Sequence, residues 1–168
     1  MPKFLNPFEK PAYFEQALFL YAKYAKFLED DFARDNKSFL DYFFELAQKT
    51  LFFVIVENDI VSGFIYLDNF VGDSQKLYCA EVTTCFDKRF WGDCTKQCCK
   101  SFVQKCFYDF GLKKIKALVY PENFRVKTLL KHVGFEKEAL LKCETLRNGK
   151  PQDIEIYSIM EVKNENRN

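Results

Sequence analysis

The segment Lys76–Gly111, KLYCAEVTTCFDKRFWGDCTKQCCKSFVQKCFYDFG, changes its hydrophobic period partway along. Its first part, Lys76 to Phe86, is rich in Val and Thr and reads as a strand. From Thr95 to Phe110 the residues Cys99, Phe102, Val103, Cys106, Phe107 and Phe110 recur at three and four, which makes one apolar stripe of a helix. Gly111 follows as the residue that stops it. Between the two lies Trp91-Gly92-Asp93-Cys94-Thr95-Lys96, a strand-to-helix turn. A helix start after a strand offers unpaired backbone N–H groups and the positive end of a dipole, which suits a pyrophosphate.

Working outward, Ile115 to Tyr120 reads as a strand ended by Pro121. A helix carrying Val126, Leu129, Leu130 and Val133 comes next, closed by Gly134. Two strands follow, around Leu140–Leu146 and Ile154–Met160, joined by the turn Asn148-Gly149-Lys150. Upstream, Leu51–Val56 and Val61–Leu67 form a hairpin across Glu57-Asn58-Asp59. Two amphipathic helices precede it. One runs from Tyr13 through Leu28 behind Pro11, and the other holds Phe39, Tyr42, Phe43, Leu46 and Ala47, with Ser38 or Asn36 as its cap. This order predicts an α/β fold, a mixed central β-sheet flanked by helices. No repeat or linker divides residues 1–168, so one domain is expected, helical over 1–50 with its core in 51–160.

Composition narrows the function classes. Hydrophobic residues are 48% of 168, enough for a buried core, and the formal net charge of +1 argues against a nucleic-acid partner. No apolar run is long enough for a membrane span and Met1–Lys10 lacks a signal-peptide core, so a soluble cytoplasmic protein with no membrane partner is expected. Twenty Phe predict a core filled with rings, and the Phe-rich N-terminal helices would be a natural homodimer face. The seven Cys are odd in number and form no Cys-x-x-Cys pair, and His132, on the polar side of its helix, is the sole histidine. Reduced thiols acting as small hydrophobes are therefore expected, and no metal site.

Glu81-Val82-Thr83, Phe90-Trp91-Gly92, Pro121-Glu122-Asn123, Gly134-Phe135-Glu136, Asn148-Gly149-Lys150 and Asp153 with Tyr157-Ser158 occur in that order. As an ordered set, from about Leu51 to Met160, they resemble the GNAT (Gcn5-related) N-acetyltransferases, within them the ribosomal-protein N-terminal acetyltransferase-like branch. The resemblance implies acetyl-CoA as co-substrate and a primary amine, small molecule or protein N-terminus, as acceptor. It implies that the turn Trp91, Gly92, Asp93, Cys94, Thr95 and Lys96 holds the pyrophosphate. Main-chain groups of Thr84 and Phe86 would pair with pantetheine, Asn123 would bond to it further along, and Glu81 would serve as the base.

Two departures from the family pattern stand beside these matches. Cys94 and Lys96 occupy the positions of both signature glycines, and Val126 and Leu130 stand where a Ser or Tyr would protonate the leaving thiolate. Lys96 could lend a charge to the phosphates instead. Simpler readings also exist: Glu81 paired with a lysine, Asn123 capping its helix and Trp91 filling a surface gap; for Cys94 the helix start permits, without requiring, an activated thiol. The sequence leaves two functions open, an N-acetyltransferase and a catalytically inactive GNAT-fold binding or structural module.

Overall fold

The computed structural model describes residues 2–73 and 75–161. Its elements are β1 (Lys3–Leu5), α1 (Pro11–Leu28), α2 (Phe39–Lys49), β2 (Leu51–Glu57), β3 (Ile60–Gly72), β4 (Leu77–Phe86), α3 (Asp93–Tyr108), β5 (Lys114–Val119), α4 (Phe124–Val133), β6 (Glu136–Arg147) and β7 (Lys150–Met160). A 3-10 turn, Lys88–Phe90, precedes α3. The local signals act as expected. Ser38 caps α2 by accepting from the Asp41 N–H, and Gly134 ends α4 in the left-handed conformation that glycine adopts without strain.

One seven-stranded sheet runs in the order β1-β2-β3-β4-β5-β7-β6. All neighbours are antiparallel except β4 and β5. A core lies on each face. On one face Ile55, Leu67, Ala80, Phe102, Cys106 and Ile115 are buried beneath α3 and α4. On the other, Phe43, Phe52, Phe64 and Tyr66 fill the space under α1 and α2, with ring centroids 5.3–6.4 Å apart, inside the range of favourable aromatic pairs. Gly63 is the contact point between β3 and β4, where a Cβ would lie 2.6 Å from the Cys85 carbonyl oxygen.

Four strands differ from the sequence expectation, and β3 is one of them, running on to Gly72 past the expected end at Leu67. β1 is too short to show a period, and it forms by adding to the edge of β2. The closing hairpin is longer at the start of both strands, because β6 leaves its Lys- and Glu-rich side to solvent and shows little apolar signal there. The thiols also divide. Cys79, Cys85, Cys98, Cys99 and Cys106 are buried as expected, Cys94 is half-buried, and Cys143 is exposed. Cys143 is thus not core filler: it has φ +51° within the break in the β6–β7 register. Among the described residues no helix is long and apolar enough to cross a membrane.

Candidate active site

The parallel pairing of β4 with β5 covers only Cys79–Lys114, Ala80–Ile115 and Glu81–Lys116. Beyond Glu81, β4 stays with β3 and β5 stays with β7, so the two strands part. Asp87 N donates to Ser62 O at 2.9 Å. By the alternation of an antiparallel ladder, Gly63–Phe86 and Ile65–Thr84 are then pairs whose own N–H and C=O groups point away from β3. The main-chain groups of Thr84 and Phe86 therefore face the opening between the parted strands.

Glu81 stands at the vertex. Its Oε1 accepts from Lys116 Nζ at 2.9 Å and its Oε2 from Asn69 Nδ2 at 2.8 Å. The pairing with a lysine considered from sequence is thus present, and both oxygens have partners. Directly across the β3–β4 ladder is Asp68, a residue the sequence reading did not single out. Burial, and then the neighbouring Glu81 charge, push the Asp68 carboxyl up to about 6. Asp68 closes the polar end of the β3 alternation, but its pairing with Glu81 depends on a register that only the folded sheet displays. One vertex thus holds two carboxylates in different settings, one anchored by an ammonium and one able to exchange a proton near neutrality.

The turn after β4 begins α3. Gly92 has φ +113° and an ideal Cβ there would meet nothing, so the constraint on it is conformational. Lys96 N donates to Gly92 O at 3.1 Å, the first bond of the helix, which leaves the amides of Asp93, Cys94 and Thr95 ahead of it. The side chains are engaged locally. Thr95 Oγ1 donates to Phe90 O at 2.8 Å, and Lys96 Nζ lies 3.0 Å from Asp93 Oδ1. The Lys96 ammonium holds the Asp93 carboxyl below its ordinary range. Cys94 donates to Glu57 Oε1 at 2.7 Å. Burial and the Glu57 carboxylate push that thiol up to about 12, against the activation that a helix start permits.

Trp91 lies at the same mouth. Its Nε1 donates to Phe86 O at 3.0 Å, one of the carbonyls that face the opening. The Arg125 guanidinium, from the first turn of α4, sits 3.6 Å from the centre of the Trp91 ring. Trp91 and Arg125 thereby brace the β4 arm of the opening against the β5 arm, a contact that sequence spacing does not reveal. Asn123 caps α4, its Oδ1 accepting from Val126 N at 3.3 Å, so the simpler reading of that residue is present in the structure. His132 is exposed.

A sheet whose one parallel pair parts beside a helix start is the frame of an acetyltransferase domain, and comparison with known proteins agrees. The family "Acetyltransferase (GNAT) domain" matches residues 8–136, and the chain belongs to it. The uncharacterized N-acetyltransferase YoaA of Bacillus subtilis (strain 168) is 38% identical over 57 residues, which are 34% of this chain and 32% of that protein. The chain thus matches about a third of that relative's length. The spermidine N-acetyltransferase of Vibrio cholerae, in complex with CoA and spermine, superposes with a TM-score of 0.72 at 20% identity over 95% of this chain and 94% of that one. The ribosomal-protein-alanine N-acetyltransferase of Brucella melitensis gives 0.71 at 14% identity over 96% and 99%. A GNAT-family acetyltransferase of Bacillus anthracis gives 0.72 at 15% identity over 90% of each. The likeness is spread across these proteins, so the family is established rather than its ribosomal-protein branch.

Proposed function

We propose that this protein transfers an acetyl group from acetyl-CoA to a primary amine by direct attack of the amine on the thioester. The observation that carries this reading is the parted β4–β5 pair, with main-chain groups of Thr84 and Phe86 turned into the opening on one arm and two carboxylates at its vertex. The amides of Asp93, Cys94 and Thr95 would receive the pyrophosphate, joined by Lys96 if it leaves Asp93. The Asn123 amide, whose Oδ1 serves the cap, would donate its N–H to pantetheine. A relative holding CoA and spermine supports both co-substrate and acceptor class.

The chemistry divides between the carboxylates. An ammonium acceptor must lose a proton before its nitrogen can attack. Asp68 is matched to take that proton near neutral pH, and Glu81, anchored by Lys116 and Asn69, holds negative charge beside the incoming cation. The neutral nitrogen then bonds to the carbonyl carbon, the C–S bond breaks, the nitrogen gives its surplus proton to water, and the thiolate takes a proton from water, since Val126 and Leu130 have none to give.

A second reading, an inactive GNAT-fold binding module, is favoured by the Trp91 indole on Phe86 O and by the side chains at positions 94 and 96. Calorimetric titration with acetyl-CoA, run beside Lys96→Ala, separates the two. Saturable binding weakened in the variant is expected. Mass spectrometry of a polyamine, an amino sugar and a short peptide then reads acetylation, with Glu81→Gln as control. No binding at millimolar acetyl-CoA overturns the enzymatic reading.

A further inference from the structure

Glu57, the last residue of β2, meets Cys94 and Cys98, which lie one helical turn apart on α3. The carboxylate oxygen and the two sulfurs all lie within 4.8 Å of one another. The cluster opens onto a cavity of about 650 Å³ that is also lined by Lys3 and Lys10. Neither thiol has a part in the acetyl-transfer chemistry above, and Glu57, on β2, is not one of the two carboxylates at the β4–β5 vertex.

We propose that Glu57, Cys94 and Cys98 form a binding site for a zinc-class divalent cation, with the fourth position open to water in the cavity. The i, i+4 spacing puts both sulfurs on one side of the helix, so the strand end needs to supply only one oxygen. Tetrahedral zinc takes sulfur at about 2.3 Å and carboxylate oxygen at about 2.0–2.2 Å, which separates the donors by roughly 3.5–3.8 Å. That spacing falls within the span of the cluster, so small side-chain rotations suffice. Two sulfur donors select a borderline or soft metal over magnesium or calcium. Binding releases both thiol protons to water, and the resulting site carries one net negative charge, on a cavity wall where Lys3 and Lys10 stand beside Glu9 and Asp59, with Lys10 3.7 Å from Asp59. No four-ligand spacing in the sequence announces this site, because the third donor comes from a strand 37 residues upstream of Cys94.

The test is a cobalt(II) titration of reduced, chelator-stripped protein, followed by absorption, with zinc added afterwards to displace the cobalt. One cobalt per chain with a thiolate charge-transfer band, bleached by zinc, is expected. Cys94→Ser and Cys98→Ser should each lower the band and loosen binding by at least about a hundredfold, and Glu57→Gln by at least about tenfold. Cys143→Ser, at the exposed cysteine, should leave the titration unchanged. Circular dichroism confirms that each variant is folded. Should Cys98→Ser unfold, the half-buried Cys94 and Glu57 variants decide the matter. No saturable band in the folded protein overturns the proposal, as does a band of full intensity in Cys94→Ser.

Discussion

Trp91 fills one acceptor of the opening with its own side chain. Its indole N–H donates to Phe86 O, the acceptor that an incoming pantetheine amide would need, so the two compete for one oxygen. Trp91→Phe keeps the ring under Arg125 and removes the donor. Exchanging one net hydrogen bond is worth about 0.5–1.5 kcal/mol, so acetyl-CoA should bind roughly two- to tenfold more tightly in the variant, read by calorimetry. Equal or weaker binding would show that Trp91 does not compete. Single residues differ in how far the sequence exposes them. Glu81 and the Trp91–Lys96 turn are legible as a strand carboxylate and a strand-to-helix turn. Asp68, Lys116 and Arg125 are not, since each acquires its meaning from a partner across the sheet or across the opening.

At the level of elements, the start of α3 carries a contradiction. Its amides and dipole favour an anion, yet Asp93 places a carboxylate in the first turn and ties up Lys96. Asp93→Asn removes that charge and frees the ammonium. A unit charge some 4 Å away is worth about 1 kcal/mol in water, so acetyl-CoA affinity should rise about fivefold at low salt and less at high salt. An affinity unchanged at low salt would place the phosphates elsewhere. The β3–β4 contact makes a different demand. Gly63→Ala would put a Cβ 2.6 Å from the Cys85 carbonyl oxygen and 2.8 Å from the Phe86 ring, with backbone as the obstacle. Such overpacking costs about 1–3 kcal/mol, a fall in Tm of several degrees by calorimetry. A Tm within a degree of the parent would mean that β3 and β4 separate there without cost. Elements with strong periods, such as α3 and the β2–β3 hairpin, are legible from sequence to within a few residues. β1, the far end of β3 and the starts of β6 and β7 are not, because segments with solvated faces carry little apolar pattern.

Across the whole molecule, the sheet separates two aromatic and aliphatic cores, and the cost of the site is borne by the stability they provide. Asp68 belongs to the β3 face that meets α1 and α2, and its proton affinity is raised from the ordinary carboxylate value to about 6 by burial and by Glu81. The native state therefore holds this proton more tightly than the unfolded chain between about pH 4 and 6. Folding stability from this group falls as pH rises through that window, and above pH 6 the full cost of the buried charge is present. Asp68→Asn keeps the shape and removes the charge. Two pH units would correspond to about 3 kcal/mol, and partial exposure of the carboxyl reduces this to roughly 1–2 kcal/mol. Calorimetry at pH 8 should show Tm higher by about 2–8 °C than the parent, with most of the gain gone at pH 4. Under the role proposed above, the same variant should lose acetyl transfer at pH 8, a trade between stability and activity. A gain equal at both pH values would mean that the asparagine acts through packing, and no gain at pH 8 would mean that Asp68 is not the group that carries the proton.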